Sequence, residues 1–154
     1  MTAVPGNMEQ CLADFVAACR RHGIKPTHQR REIYRELART QEHPDVQSIY
    51  LRVRRRMPAV SLDTVYRTLR LLEEKGVVSR VACLDSRTRF DAVTERHHHF
   101  TCVKCGAIQD LYSEALNAVS VPAEATAMGT VNSVHVELRG VCAACRAAAA
   151  EPKC

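Results

Sequence analysis

The chain has 154 residues, 46% of them hydrophobic but only 5% aromatic, with no tryptophan, so it can form one ordinary domain or two small ones with a core of Val, Leu, Ile and Ala. No apolar run approaches the roughly 18 residues of a spanning helix, and MTAVPGNMEQ lacks the charged and apolar regions of a secretory signal, so a reducing, cytoplasmic setting without membrane contact is expected. The net charge of +5 is unevenly placed: residues 1–90 carry 17 Lys/Arg against 10 Asp/Glu, residues 91–154 carry 5 against 7, and the basic front half has the electrostatic footprint of a nucleic-acid binder.

Met8 to His22 reads as an amphipathic helix with Met8, Leu12, Phe15 (or Val16) and Cys19 inward and Gly23 as its stop; Cys11 and Cys19 are small core hydrophobes there. Pro26-Thr27 opens a second helix through Arg39, with Thr27 as N-cap and Ile33, Tyr34 and Leu37 inward. His43-Pro44-Asp45 begins a third helix, with Val46, Ile49, Tyr50 and Val53 as its stripe and Arg52, Arg54, Arg55 and Arg56 at its basic end, broken at Met57-Pro58. Ser61 caps a fourth, ended by Gly76, whose buried stripe is expected to be Leu62, Val65, Leu69 and Leu72. Thr64, Tyr66, Arg67 and Arg70 lie largely off that stripe. Two β-like runs, Val77–Ala82 and Arg87–Asp91, follow through Leu84-Asp85-Ser86. Helices ending in a hairpin are the order of a winged helix-turn-helix, whose last helix enters the major groove; a plain interaction bundle has the same outline, and the basic bias with exposed Arg67 and Arg70 favours DNA.

Beyond Asp91 the pattern becomes strand-like. His99–Cys102 and Ala107–Leu111 are short strands, Ser113 to Val119 a helix, and Val131–Arg139 an alternating strand with Val134, Val136 and Leu138 on one face and His135, Glu137 and Arg139 on the other. His135 is therefore a solvent histidine. The tail RAAAAEPKC is helical for a turn or two, and Cys154 has no partner by spacing.

Two ligand chemistries sit almost on top of each other here. Cys102 and Cys105 form one C-x-x-C, Cys142 and Cys145 a second, and thiolates so paired suit a closed tetrahedral zinc site. A redox C-x-x-C is the competing reading, but the βαβ pattern that carries it is absent. The 36-residue gap between the pairs must hold a sheet or helix, so the metal fastens the final strand to the first. His97 and His99, two apart on a strand, face one side while His98 faces away and is expected to be dispensable. Asp91 and Asp110 add oxygen donors, and His43, usually a structural type of lone histidine, lies far off in sequence. A His/Asp set suits an exchangeable ion such as iron or manganese.

These residues carry a resemblance. EHPDVQSIY at 42–50, SLDTVYRTLRLLEEKGVV at 61–78, RFD at 89–91, HHHFTCVKCG at 97–106 and GVCAAC at 140–145 resemble the ferric uptake regulator family of dimeric, metal-dependent bacterial transcription regulators, over residues from about 20 to 146. The resemblance implies an α+β chain: a winged-helix DNA-binding domain over 1–90, a hinge beginning near 91, and a small α/β dimerisation domain over 91–154. It implies a sensing site of His43, Asp91, His97, His99 and Asp110 for Fe²⁺ or Mn²⁺, and a structural zinc site of Cys102, Cys105, Cys142 and Cys145. It also implies DNA contacts by Tyr66 and Arg67 to bases and by Lys25 in the minor groove, beside Thr64 and Arg70 on the same helix.

Iron-sensing members typically carry glutamates where Asp91 and Asp110 stand, so the chain is most similar to the peroxide-stress branch. Many members add a further metal site; Arg96, His98, Asn117 and Val134 stand at its positions, so only His98 retains a donor and the site is expected to be lost. The segment at 121–131 departs from the family pattern. The expected function is a homodimeric operator-binding repressor that senses peroxide through iron. The alternatives are an iron- or zinc-uptake repressor and, from another class, a metal-dependent enzyme, for which no general base or substrate pocket is evident.

Overall fold

The computed structural model describes residues 7–81 and 87–150, and divides into two compact units between Thr94 and Glu95. The expected connection Leu84-Asp85-Ser86, Ala82 at the end of its run, and Cys83 and Cys154 lie outside the described residues.

The first unit is built from α1 (Met8–Arg21), α2 (His28–Ala38), α3 (Val46–Arg54), α4 (Leu62–Glu74) and an antiparallel pair, β1 (Ser79–Val81) and β2 (Arg89–Asp91). Each helix begins where a short polar side chain can take an orphan N–H: Asn7 for Glu9, Thr27 for Arg30, Asp45 for Ser48 and Ser61 for Thr64. Gly76, at φ +69°, ends α4 in the left-handed region that a side chain rarely adopts. One apolar cluster, including Phe15, Ile33, Leu37, Ile49, Val65, Leu69, Leu72 and Phe90, fills the space between the elements, and Phe15 stacks on Tyr34 at 4.2 Å. Each such side chain contributes about 1.5–3 kcal/mol by leaving water.

Two details differ from the sequence expectation. Leu62 is exposed (42%), because α4 begins at that residue and its first turn projects beyond the core; Thr68 takes the buried place instead. Glu32 and Glu36 on α2 are buried, paired with Arg35 and Arg39 at i,i+3 spacing and with Arg56 beyond α3, and it is this last partner that helical spacing does not announce.

The second unit has a three-stranded sheet in the order β4 (Ile108–Leu111), β3 (His98–Cys102), β5 (Glu137–Gly140). β3 and β4 form an antiparallel hairpin whose turn is the first C-x-x-C, closed by Cys102 N–H to Ala107 O (2.8 Å) and Gly106 N–H to Cys102 O (2.9 Å). β5 returns parallel to β3, after a crossover that includes α5 (Glu114–Asn117) and α6 (Ala123–Met128); α7 (Ala143–Ala150) follows.

The expected strand over 131–139 is cut to Glu137–Gly140, and Glu137 and Leu138 depart from the expected facing. Leu138 is exposed (43%), while Glu137 turns in to accept the Thr101 hydroxyl at 2.9 Å. The hydroxyl and carboxylate pair decides the orientation where the unit has little apolar interior to claim Leu138. Helix α6 arises where only a loop was expected, and His135 is exposed as anticipated. Among the described residues no helix is long and apolar enough to cross a membrane. The architecture is α+β: a winged helix-turn-helix unit followed by a small α/β unit.

Candidate functional site

The four cysteines come together in the second unit. Cys102 ends β3, Cys105 lies in the hairpin turn, and Cys142 and Cys145 flank the start of α7, so both ends of the unit converge on one point. Their sulfurs all lie within 4.8 Å of one another. Zinc–sulfur bonds of about 2.3 Å set tetrahedral sulfurs about 3.8 Å apart, and Cys105 and Cys142 Sγ stand at 3.8 Å. The Cys142 N–H donates to Cys102 Sγ at 3.3 Å. That bond, with others from the Cys105 and Lys104 N–H groups, draws the Cys102 thiol down to about 6, the direction that favours the ligating thiolate. Hydrogen bonding to Cys142 and Cys105 pushes Cys145 up to about 12. Four converging sulfurs, one of them drawn toward thiolate, fit a dication with four sulfur ligands.

The His/Asp donors lie in two groups, one in each unit. In the first, His43 Nε2 stands 3.4 Å from Asp91 Oδ2, and both residues are buried. The backbone explains why. His43 adopts φ +49°, a left-handed conformation costly for a residue with a side chain and most often met at functional positions. The following residues grip β2: the Phe90 N–H donates to Pro44 O at 3.2 Å, and Asp45 bridges to Arg89. Asp45 also caps α3; although burial pushes its carboxyl up, the Ser48 hydrogen bonds with Arg87 and Arg89 prevail and hold it below the ordinary range. Asp91 Oδ1 accepts the Val93 N–H at 2.7 Å, which turns Oδ2 toward His43.

In the second unit, His99 on β3 sits directly opposite Asp110 on β4, and His97 immediately precedes β3. His97 Nδ1 lies 2.8 Å from the Glu95 carbonyl; since a carbonyl only accepts, Nδ1 carries the proton and Nε2 offers a lone pair. That Nε2 is 3.0 Å from His99 Nε2 and 3.6 Å from Asp110 Oδ1, and His99 Nε2 is 3.8 Å from the same oxygen. Two imidazoles bound side by side at about 2.1 Å have nitrogens about 3.0 Å apart in octahedral geometry, so the trio also fits a divalent ion. Tyr112 stacks on the His97 ring at 5.6 Å. This contact and the Glu95 carbonyl were missed by sequence reasoning, since Glu95 acts through its backbone and Tyr112 through its ring face, and ligand spacing singles out neither role.

His98 does face the other way, but it is not idle. It is fully buried, Nδ1 accepts the Val136 N–H at 3.1 Å, and Nε2 donates to Asn117 Oδ1 at 3.1 Å. With both ring nitrogens engaged it has no donor left for a metal, and it ties α5 and the approach to β5 onto β3. The expectation that it is dispensable is therefore corrected.

On α4 the polar face is open. Tyr66 is 48% exposed, the Arg67 and Arg70 side chains 78% and 62%. Arg67 pairs with Asp63 at 2.9 Å, and Arg70 with Glu74 at 3.0 Å, a partner that raises the Arg70 guanidinium above its ordinary value. Thr64 is half-buried, its hydroxyl 2.9 Å from the Ser61 capping hydroxyl. Lys25 is exposed before α2, its carbonyl accepting from Arg30 at 2.8 Å.

A winged helix-turn-helix unit followed by a unit bearing metal-donor clusters is the make-up of a metal-responsive transcription regulator. The sequence profile of the ferric uptake regulator family matches residues 21–139. The peroxide-responsive repressor PerR of Staphylococcus epidermidis is 32% identical over 146 residues, covering 95% of this chain and 97% of that protein. Among solved structures, the Campylobacter jejuni peroxide stress regulator is 31% identical, covers 82% of this chain and 95% of its own, and superposes with a TM-score of 0.66. The Helicobacter pylori ferric uptake regulator reaches 0.72 at 23% identity over 95% of this chain and 97% of its own, a likeness of fold. The chain belongs to the ferric uptake regulator family, and is a metal-responsive transcriptional regulator rather than an enzyme.

Proposed function

We propose that the chain is a cytoplasmic, homodimeric repressor that binds operator DNA when its regulatory site is loaded and releases it on reaction with peroxide. His43, Asp91, His97, His99 and Asp110 would hold the regulatory ion, Fe²⁺ or Mn²⁺, and Cys102, Cys105, Cys142 and Cys145 a structural Zn²⁺. The observation that carries the reading is the division of the His/Asp donors: two in the first unit, three in the second. Neither group alone supplies a full coordination shell, so ligation by all five restrains the reading unit against the other. The arrangement so favoured is the one that presents α4 of both protomers to successive half-sites.

The aspartates favour peroxide as the signal. Aspartate is one methylene shorter than glutamate, so Asp91 and Asp110 enclose the site less completely, and the relatives named above include two peroxide regulators more than 30% identical. Bound iron supplies one-electron chemistry toward H₂O₂ that manganese resists. Oxidation of the His43 or His97 ring by one H₂O₂, which leaves one oxygen on a ring carbon and releases the other as water, would weaken a donor, relax the restraint between the units and release the repressor from DNA.

The test is to load purified protein separately with Fe²⁺ and Mn²⁺, expose both briefly to H₂O₂, and follow operator binding together with peptide masses. The iron form is expected to lose DNA and gain oxygen on His43 or His97, while the manganese form keeps both unchanged. Asp110→Glu should retain metal-dependent binding and lose much of the peroxide sensitivity. Equal resistance of the two metal forms leaves a metal-uptake repressor as the better account.

A further inference from the structure

On the exposed face of α4, Asp63 stands three and four residues before Tyr66 and Arg67, Arg70 three residues after Arg67 and Glu74 four after Arg70, so that they form a single stripe. A carboxylate in the first turn of a helix meant for a polyanion works against phosphate, and exposed ion pairs one turn apart add little to stability. Neither consideration explains what Asp63 does, but its contact does. Asp63 Oδ2 makes its shortest approach to Arg67 at Nε, 2.9 Å away. Arginine reads guanine with a fork of two parallel donors aimed at O6 and N7, and a long exposed side chain loses rotamer freedom when it adopts that geometry. A carboxylate beside Nε restricts the side chain before DNA arrives, and among the described residues no ion-pair partner other than Asp63 engages the guanidinium.

The geometry points to Asp63 as a positioning residue that holds the Arg67 fork for base reading, and so raises the specificity of the helix while lowering its general affinity for DNA. This rests on the DNA-reading function proposed above and deepens it: Asp63 acts on discrimination and on bulk affinity with opposite signs, so the two are separable.

The experiment uses the full-length, zinc- and manganese-loaded chain with two probes: a duplex selected by the wild-type protein from a random-sequence pool, and the same duplex with its bases permuted. Asp63→Ala is expected to weaken the selected duplex and to bind the permuted one as tightly or more tightly. The affinity ratio then falls roughly tenfold, the equivalent of about 1.4 kcal/mol. In an Arg67→Ala background the same change should leave the ratio where Arg67→Ala alone puts it, because the effect passes through Arg67. Asp63→Glu, which keeps a carboxylate within reach of Nε, should recover part of the ratio. An equal gain on both probes reduces Asp63 to a phosphate-repelling charge and overturns the inference, as does a loss that persists without Arg67, which marks a helix-end role. Failure of the wild-type chain to select any duplex is seen before a variant is made, and overturns the DNA reading and this inference together.

Discussion

The two units hold themselves together by different means. The first closes one apolar cluster running from Leu12 to Phe90, with every helix start capped by a side chain. Among the described residues the second has Ile108, Cys102 and Cys142 as its buried hydrophobics, and fills the remaining interior with His97, His98 and Thr101. It exposes Tyr112, Val119, Val121, Met128, Val131, Leu138 and Val141 instead. A unit of this size with so thin a core needs a metal or a partner surface to be stable, and it offers a cluster of four cysteines for the one and uncovered apolar side chains for the other. The reading unit is a self-sufficient fold, whereas the sensing unit is conditional on what it binds.

The sharpest way to break this contrast is Cys142→Ser. Structural zinc contributes on the order of 10 kcal/mol to small metal-held folds, so the variant should lose zinc, unfold the second unit and dissociate. Most of the helical circular dichroism, which resides in α1 to α4, should survive. Zinc content, sedimentation and melting curves check it, and a zinc-free variant that stays dimeric with an unchanged melt refutes the assignment. Next in size is His98→Ala. It leaves Asn117 Oδ1 and the Val136 N–H without their partner and opens a cavity in a unit with little else to fill it, at a cost of about 2–4 kcal/mol. Thermal unfolding should register this with zinc still bound. His97→Ala, by contrast, should abolish metal-activated DNA binding with a smaller change in melting.

What the sequence made legible follows the same divide. The helices of the first unit were readable because caps and apolar spacing are local: Thr27, Asp45 and Ser61 each stand where the structure starts a helix. The C-x-x-C turns were readable for the same reason, since two cysteines three apart can only be presented by a tight turn. Register in the second unit was not. The alternation over 131–139 misplaces Glu137 and Leu138 because Thr101, 36 residues away in sequence, claims Glu137, and alternation alone cannot report a partner on another strand. His98 was misjudged likewise. Its facing was correct, but Asn117 and Val136, which make it structural, lie 19 and 38 residues further on. The paired donors His99 and Asp110 were legible as a neighbouring-strand set because ligand chemistry, not packing, singled them out.

A third measurement tests whether the reading face is independent of the fold beneath it. Arg67→Ala removes an exposed guanidinium and should leave melting unchanged while weakening specific DNA binding by roughly 1–3 kcal/mol. Arg55→Ala, at the basic end of α3, should give a smaller loss, equal for operator and random DNA. If Arg67→Ala leaves discrimination intact, the recognition helix lies elsewhere.

The smallest effect is expected at Leu62, and it bears on how the self-sufficient unit is built. Helical spacing puts Leu62 in one stripe with Val65, Leu69 and Leu72, so by pattern alone Leu62→Ala and Leu69→Ala are equivalent. Burial separates them: Leu69 is fully enclosed, while Leu62 stands at the first position of α4 with 42% of its surface in water. Leu69→Ala should cost about 2–5 kcal/mol through lost burial and a residual cavity, and Leu62→Ala within about 0.5 kcal/mol, as for a surface change, with alanine's helix preference partly offsetting the lost contact. Chemical denaturation of the pair reads the difference directly. A cost at Leu62 approaching that at Leu69 would mean that the start of α4 is packed in solution, so that the unit draws part of its stability from a covered helix end and the contrast between the two units weakens.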